Sequence, residues 1–160
     1  MCIRDRVKQW FDGTVILSGS IGDGHSVASA IALGADFAYL GTRFIATEEA
    51  NAEPEYKKML EESAAKDIVY SSLFTGVLGN YLKPSIENAG MDPENLPDAD
   101  KTSMNFGSGG NTDSKAWKDI WGSGQGIGGI KDSPSVGELV YRLKKEYDDA
   151  FNEFKSKMGS

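Results

Sequence analysis

Apolar positions along this chain fall into short runs punctuated by glycine, followed near the end by one long amphipathic stretch. Thr14–Ser18 (TVILS) is a continuous, β-branched apolar run bounded by glycines. That is the pattern of a strand buried on both faces, as in a parallel sheet. A polar loop carrying Gly19, Gly22 and Gly24 follows, then an alanine-rich stretch, 25–33 (HSVASAIAL), that predicts a helix stopped by Gly34. Asp36–Leu40 (DFAYL) is a second short strand, ending in Gly41-Thr42. Strand, glycine loop, helix and strand make a βαβ unit, with parallel strands and a right-handed crossover. Upstream, residues 7–13 (VKQWFDG) read as the last turns of a helix with Gly13 as its C-cap.

From Thr47 the pattern becomes helical and acidic. Residues 47–66 predict one helix, with Thr47 and Pro54 as start signals. Ile68–Phe74 (IVYSSLF) reads as a strand, Gly76–Tyr81 as a turn, and Pro84–Ala89 as a short helix ended by Gly90. Residues 91–114 are rich in Pro, Asp, Asn, Ser and Gly and read as a long surface loop, a length usually tied to function or mobility. In 115–121 (KAWKDIW), Trp117 and Trp121 stand one helical turn apart, ahead of the glycine-rich Gly122–Gly129. The amphipathic stretch is 135–154, where Val136, Leu139, Val140, Leu143, Tyr147, Ala150 and Phe154 form one stripe.

Charge narrows the function. The chain has 160 residues and a net charge of -7. Residues 44–70 hold seven acids and three bases, so this stretch alone contributes -4. Such a balance lacks the basic face that phosphate neutralisation on nucleic acid requires, and it lacks a polybasic membrane anchor. No apolar run approaches the ~18 residues of a membrane span. The only cysteine, Cys2, rules out an internal disulfide and a cysteine-based zinc site. No His/Asp/Glu cluster has metal-ligand spacing, and no metal is expected. The expected setting is cytoplasmic, since one cysteine fits a reducing compartment. The 19 glycines make up ~12 per cent of the chain, against an average near ~7 per cent.

Those glycines cluster where chemistry is expected. In parallel α/β sheets ligands bind at the C-terminal strand ends. Here both ends carry small residues, Ser18-Gly19-Ser20 and Gly41-Thr42. Glycine lets backbone N–H groups approach an anion, and a nearby helix N-terminus adds a favourable field. Loops after strands 7 and 8 of a TIM barrel build such a phosphate site.

The stretch VILSGSIGDGHSVASAIALGADFAYLGTRFIATEEANAEPEYK closely resembles the nitronate monooxygenase family, formerly called 2-nitropropane dioxygenases. The resemblance continues through SSLFTGVLGNYLKPSIENAG and KAWKDIWGSGQGIGG into the final helix, covering residues 7–150. It implies an α/β fold, the C-terminal part of an FMN-binding (β/α)8 barrel with an insertion after strand 8. Residues 7–46 would hold barrel strands 7 and 8 with the phosphate turns, 47–114 the insertion and long loop, and 115–160 the glycine-rich cofactor-proximal segment and closing helix. The implied activity is flavin-dependent oxidation of a small nitronate or nitroalkane by O2. The related FMN-dependent enoyl-acyl-carrier-protein reductases share these turns, and a non-catalytic phosphate-ligand module would use them too.

By the same resemblance, Gly19 and Ser20 donate N–H groups to the FMN phosphate, and Gly41 and Thr42 complete the cradle. Ser18 faces the flavin, while Gln125 and Gly126 belong to the segment folding over the cofactor. The family often has a second glycine where this chain has Ser20, and arginine where it has His25. Its catalytic base is a histidine on an earlier strand with no counterpart here, so no residue of this chain is assigned as catalytic. His25, the only histidine, is read as a solvated or capping residue at a helix start. Asp23 is read as a helix cap, and Glu48 and Glu49 as first-turn helix charges. Arg43 lies either near the phosphate or against a structural carboxylate. Phe106, Trp117 and Trp121 either line an apolar pocket or pack in the core. Residues 1–6 (MCIRDR) resemble a translated adapter and are set aside as non-native. A complete barrel takes ~250 residues, so the expectation is a fragment whose sheet edges and apolar faces stay exposed.

Overall fold

The structure, a computed structural model, describes residues 6–97 and 119–159. The predicted βαβ unit is present: β1 (Ile16–Ser18), α1 (Gly24–Ala32) and β2 (Phe37–Tyr39), with β1 and β2 parallel. Leu17 pairs with Ala38, and the flanking pairs Ile16–Phe37 and Ser18–Tyr39 point to the other face. The prediction of burial on both faces does not hold. Leu17 and Ala38 are half-buried, but Ile16 (58 % exposed), Phe37 (60 %) and Tyr39 (63 %) stand open. The physical reason is that this sheet has two strands, so nothing among the described residues covers its second face.

The acidic stretch is broken where one helix is predicted. A four-residue helix, α2 (Thr42–Ile45), follows β2 directly, and α3 (Pro54–Glu62) begins only at the proline. Proline suits the first helical position because its missing N–H would have had no partner there. Thr47 does not start a helix: it is buried, and its hydroxyl donates to the Phe44 carbonyl at 2.8 Å. A 3-10 turn, Ala65–Asp67, leads into β3 (Ile68–Ser71), which pairs antiparallel with β4 (Gly79–Leu82). The predicted turn at Gly76–Tyr81 is therefore shorter, with Gly76 at φ +75° and β4 starting at Gly79. Next come α4 (Lys83–Asn88), a 3-10 segment at Gln125–Gly129 and the long α5 (Val136–Met158). Residues 98–118, which carry Phe106 and Trp117, lie outside the described residues.

Alternate residues of β4 feed two cores. Leu82 joins Ala46, Leu60, Ile127 and Ile130, while Tyr81 joins Phe74, Ile86 and Ile120. The helix pair α1–α5 forms the other main contact. Gly24 and Ala28, one turn apart, are buried on α1. Leu139 of α5 is buried, and Leu143 and Tyr147 are half-buried, whereas Val140 and Phe154 are exposed despite their place in the stripe. Nine residues of α1 against 23 of α5 means ~13 Å against ~34 Å, too short to cover the stripe. Gly13 is no left-handed cap; among the described residues the positive-φ glycines are 19, 34, 76 and 90, so Gly34 and Gly90 do stop their helices. No described helix is long and apolar enough to cross a membrane.

The α1–α5 crossing depends on Gly24. A Cβ there would fall 2.2 Å from the Leu143 carbonyl oxygen and 2.5 Å from both Glu146 Cβ and Tyr147 N. The Gly24 N–H donates to the Glu146 carboxylate at 2.7 Å. Gly24→Ala is expected to destabilise the chain by about 2 kcal/mol through overpacking against backbone, read as a lowered urea midpoint. An unchanged midpoint would refute the close crossing.

Candidate functional site

The two strand ends converge on one cleft of about 150 Å³, lined by Ser18, Gly19, Ser20, Ile21, Gly22, Tyr39, Gly41, Thr42, Arg43, Gly124 and Gly126. Six of the seven residues expected at a cofactor are therefore together. Gln125 is not in the lining; it is exposed, at the start of the 3-10 segment.

Each part of the cleft has a local cause. After β1 the chain turns through Gly19 (φ +97°) and Ser20 (φ +57°). Glycine reaches this left-handed region freely, but serine does so at a cost of order 1–2 kcal/mol. Such strain persists only where surroundings hold it, commonly at ligand sites. Here the holding contact is Gly126, where a Cβ would meet the C, O and Cα of Ser20 at 3.1–3.2 Å. A Cβ on Gly22 would likewise meet the Gly126 carbonyl oxygen at 3.1 Å. After β2, Gly41 caps α2 with no side-chain hydrogen bond, and a Cβ on it would meet nothing within 4 Å. Thr42 joins the third segment, since its Oγ1 accepts from the Gly124 N–H at 2.8 Å. A hydroxyl that accepts there keeps its own proton for another partner.

The N-terminus of α1 does not serve the cleft as the helix-field argument expects. Asp23 accepts from Ser26 N at 2.7 Å as its N-cap, and Glu146 accepts from Gly24 N. Those carboxylates already complement the helix end. His25 is exposed on the first turn and does not line the cleft, as its capping-or-solvated reading expects.

Arg43 takes the structural-carboxylate reading, at the edge of the cleft. It lines the cleft, and its guanidinium is 4 % exposed and engaged elsewhere. It donates to the Ala46 carbonyl at 3.0 Å, the Asp132 carbonyl at 3.1 Å and the Asp132 carboxylate at 3.0 Å. Arg142 grips the same carboxylate through two hydrogen bonds, 2.9 and 2.7 Å. The Arg142 hydrogen bond and charge, then the Arg43 charge, hold Asp132 below the usual carboxylate range, while burial pulls Arg43 down against the field of Asp132. Glu49 is no first-turn charge of its own helix. It accepts from Val136 N at 2.8 and 3.0 Å, capping α5 across the chain. Among the described residues no group of His, Cys, Asp and Glu is placed to hold a metal.

Trp121 resolves toward packing. It stacks on Tyr56, with ring centroids 5.0 Å apart at 16°, beside the Leu60–Leu82 core. Local periodicity carries no sign of Asp132, Glu146 or Tyr56 as partners, because each acts across tens of residues. The cap of α5, by contrast, is legible as Ser135–Glu138, a capping box that the structure contains.

A family profile described as nitronate monooxygenase matches residues 1–146. The chain belongs to the nitronate monooxygenase family. Family relatives include the nitronate monooxygenase of Paraburkholderia phytofirmans, 37 % identical over 49 % of this chain and 22 % of its own length. That of Neurospora crassa is 26 % identical over 90 % of this chain and 41 % of its own. The chain thus spans well under half of these relatives. A nitroalkane oxidase from Streptomyces ansochromogenes superposes with a TM-score of 0.70 at 28 % identity, over 93 % of this chain and 43 % of that one. FabK from Thermotoga maritima superposes at 0.68 with 20 % identity, over 96 % and 50 %, a likeness of fold. Membership places the chain in a family of oxidoreductases with an α/β fold.

Asp132 ties the cleft arginine to α5, so its ionisation contributes to stability. Its folded pKa lies below the ordinary 3.8, so the contribution is complete above that value and is lost as pH falls through the lower folded one. Asp132→Asn is expected to lower the urea midpoint at pH 7 and to flatten its decline below about pH 4. Parallel declines in both proteins would count against this.

Proposed function

We propose that this chain is the C-terminal part of an FMN-binding (β/α)8 barrel and that the cleft holds the FMN phosphate. β1 and β2 would be barrel strands 7 and 8, residues 47–114 an insertion after the eighth, and 115–160 the glycine-rich segment and closing helix. The whole protein would oxidise alkyl nitronates, or nitroalkanes, with O2 in the cytoplasm. The observation that carries this reading is the meeting of Gly19-Ser20, Gly41-Thr42 and Gly124–Gly126 around one cleft, with the Cβ directions of Gly19 and Gly41 empty.

A cleft of about 150 Å³ falls below the ~300–1,000 Å³ of whole-ligand sites, which suits an anionic group gripped at one end. Turn N–H groups form an anion-binding concavity without a free cation. That matches a cleft whose arginine is already tied to Asp132. The Thr42 hydroxyl, accepting from Gly124, would donate its proton to a phosphate oxygen. Ser18 at the strand tip would face the flavin, with Gln125 and Gly126 in the overlying segment. When bound, FMN supplies the electron transfer and oxygen chemistry. The cleft lining contains no His, Asp or Glu, so we assign this chain the anchor and not the proton-abstracting base.

Because Gly41 has open space around its Cβ direction, Gly41→Val is expected to fold normally. FMN affinity should fall at least about tenfold, the loss of one or two charge-assisted hydrogen bonds. Riboflavin, lacking the phosphate, should bind both proteins alike in a fluorescence-quenching titration. Equal FMN affinity would sink the assignment. A second outcome concerns catalysis: with FMN and a nitronate, this chain should consume oxygen no faster than free FMN does. Turnover above that level would overturn the anchor-without-base reading, and NAD(P)H oxidation with an enoyl thioester would favour the enoyl reductase instead.

A further inference from the structure

We propose that Tyr56 is a positioning residue for the cleft, its hydroxyl holding the glycine-rich strap from α3 through the Gly122 carbonyl. This rests on reading the cleft as the FMN phosphate site.

The strap enters the structure as an extension of the β3–β4 sheet. Gly122 bridges antiparallel to Tyr81, Leu82 N donates to the Trp121 carbonyl at 2.8 Å, and Ser123 N donates to the Asn80 carbonyl at 3.2 Å. One edge of the strap is thus held by β4. Its opposite side is held by α3, where the Tyr56 hydroxyl donates to the Gly122 carbonyl while its ring stacks on the neighbouring Trp121. Two residues later Gly124 N reaches Thr42 Oγ1, and two further on Gly126 lies against Ser20. Tyr56 at Gly122 and Asn80 at Ser123 are therefore the last grips on the strap from its two sides before it enters the cleft wall at Gly124.

Geometry makes the grip stiff. Tyr56 is partly buried against the core of Ala46, Leu60, Leu82, Ile127 and Ile130. Its ring is thereby fixed by packing before its hydroxyl is used. Burial also pushes the phenol up to about 12, so it remains a donor across the working pH range. Glycines at 122, 124, 126, 128 and 129 leave the strap with little stiffness of its own. Its placement must come from outside, and Tyr56 supplies the contact from the side facing away from β4. Tyr56 also borders the shallow groove next to the cleft, which shares Tyr39 and Gly41 with it.

Tyr56→Phe in the full chain keeps the stack and removes only the donor. Amide hydrogen exchange at Gly124 and Gly126 is expected to quicken about tenfold, with α5 unchanged, as one hydrogen bond is lost. FMN affinity should fall roughly three- to tenfold on the same basis, while riboflavin affinity holds. Trp121→Phe, which leaves the hydroxyl in place, should retain FMN affinity even if the urea midpoint drops. Unchanged exchange at Gly124, or exchange that quickens uniformly along the chain, overturns the proposal. So does an FMN affinity equal to wild type, or an equal loss in Trp121→Phe. If the wild-type chain binds FMN no better than riboflavin, the phosphate reading itself fails and takes the proposal with it. That result is visible before any variant is made.

Discussion

Everything around the cleft depends on Gly126 lying against the backbone of Ser20, so close that a side chain there would force one of them to shift. That contact lets a strap from the far end of the chain close over the turn after β1. It also holds Ser20 in a left-handed conformation that serine adopts reluctantly. Thr42 completes the join by accepting from Gly124. Three segments distant in sequence, near residues 20, 42 and 125, thus become one wall. The glycines are there for proximity as much as for turning.

The charged groups do a second job, which is to lock α5 to the βαβ unit. Arg43 and Arg142 share Asp132, Glu49 caps the α5 N-terminus, and Glu146 of α5 caps α1. An isolated surface pair contributes little, but here one arginine is buried and two of the carboxylates meet backbone donors at helix ends. The cost falls on the cleft: its arginine is committed, and the Gly24 and Ser26 N–H groups of the first helix are taken by carboxylates. In the proposed phosphate site, anion binding would be left to backbone N–H groups and a hydroxyl, which would make glycine at 19 and 41 matter more than any cation.

The exposed face of β1 and β2 belongs to the same account. Ile16, Phe37 and Tyr39 are open because, among the described residues, nothing partners the two-stranded sheet on that side. Parallel sheets are ordinarily covered on both faces, and the chain spans 41 % or less of the length of the two nitronate monooxygenase relatives described above. In the proposed barrel, further strands would pair with the free edges and close them.

Local pattern in the sequence determined the βαβ unit, its parallel strands, the Asp23 cap, the glycine stops at 34 and 90, and the two small-residue strand ends that border the cleft. Those features are set by the residues themselves and their near neighbours, through β-branching, capping and permitted dihedral angles. Tertiary structure alone decided that α3 waits for Pro54, that Glu49 caps a helix 87 residues away, and that Arg43 turns to Asp132, 89 residues on. It also decided that Trp121 stacks on Tyr56 and that Gln125 faces solvent while its glycine neighbours form the wall. These outcomes depend on which distant backbones approach within hydrogen-bonding reach. No run of neighbouring residues encodes that distance.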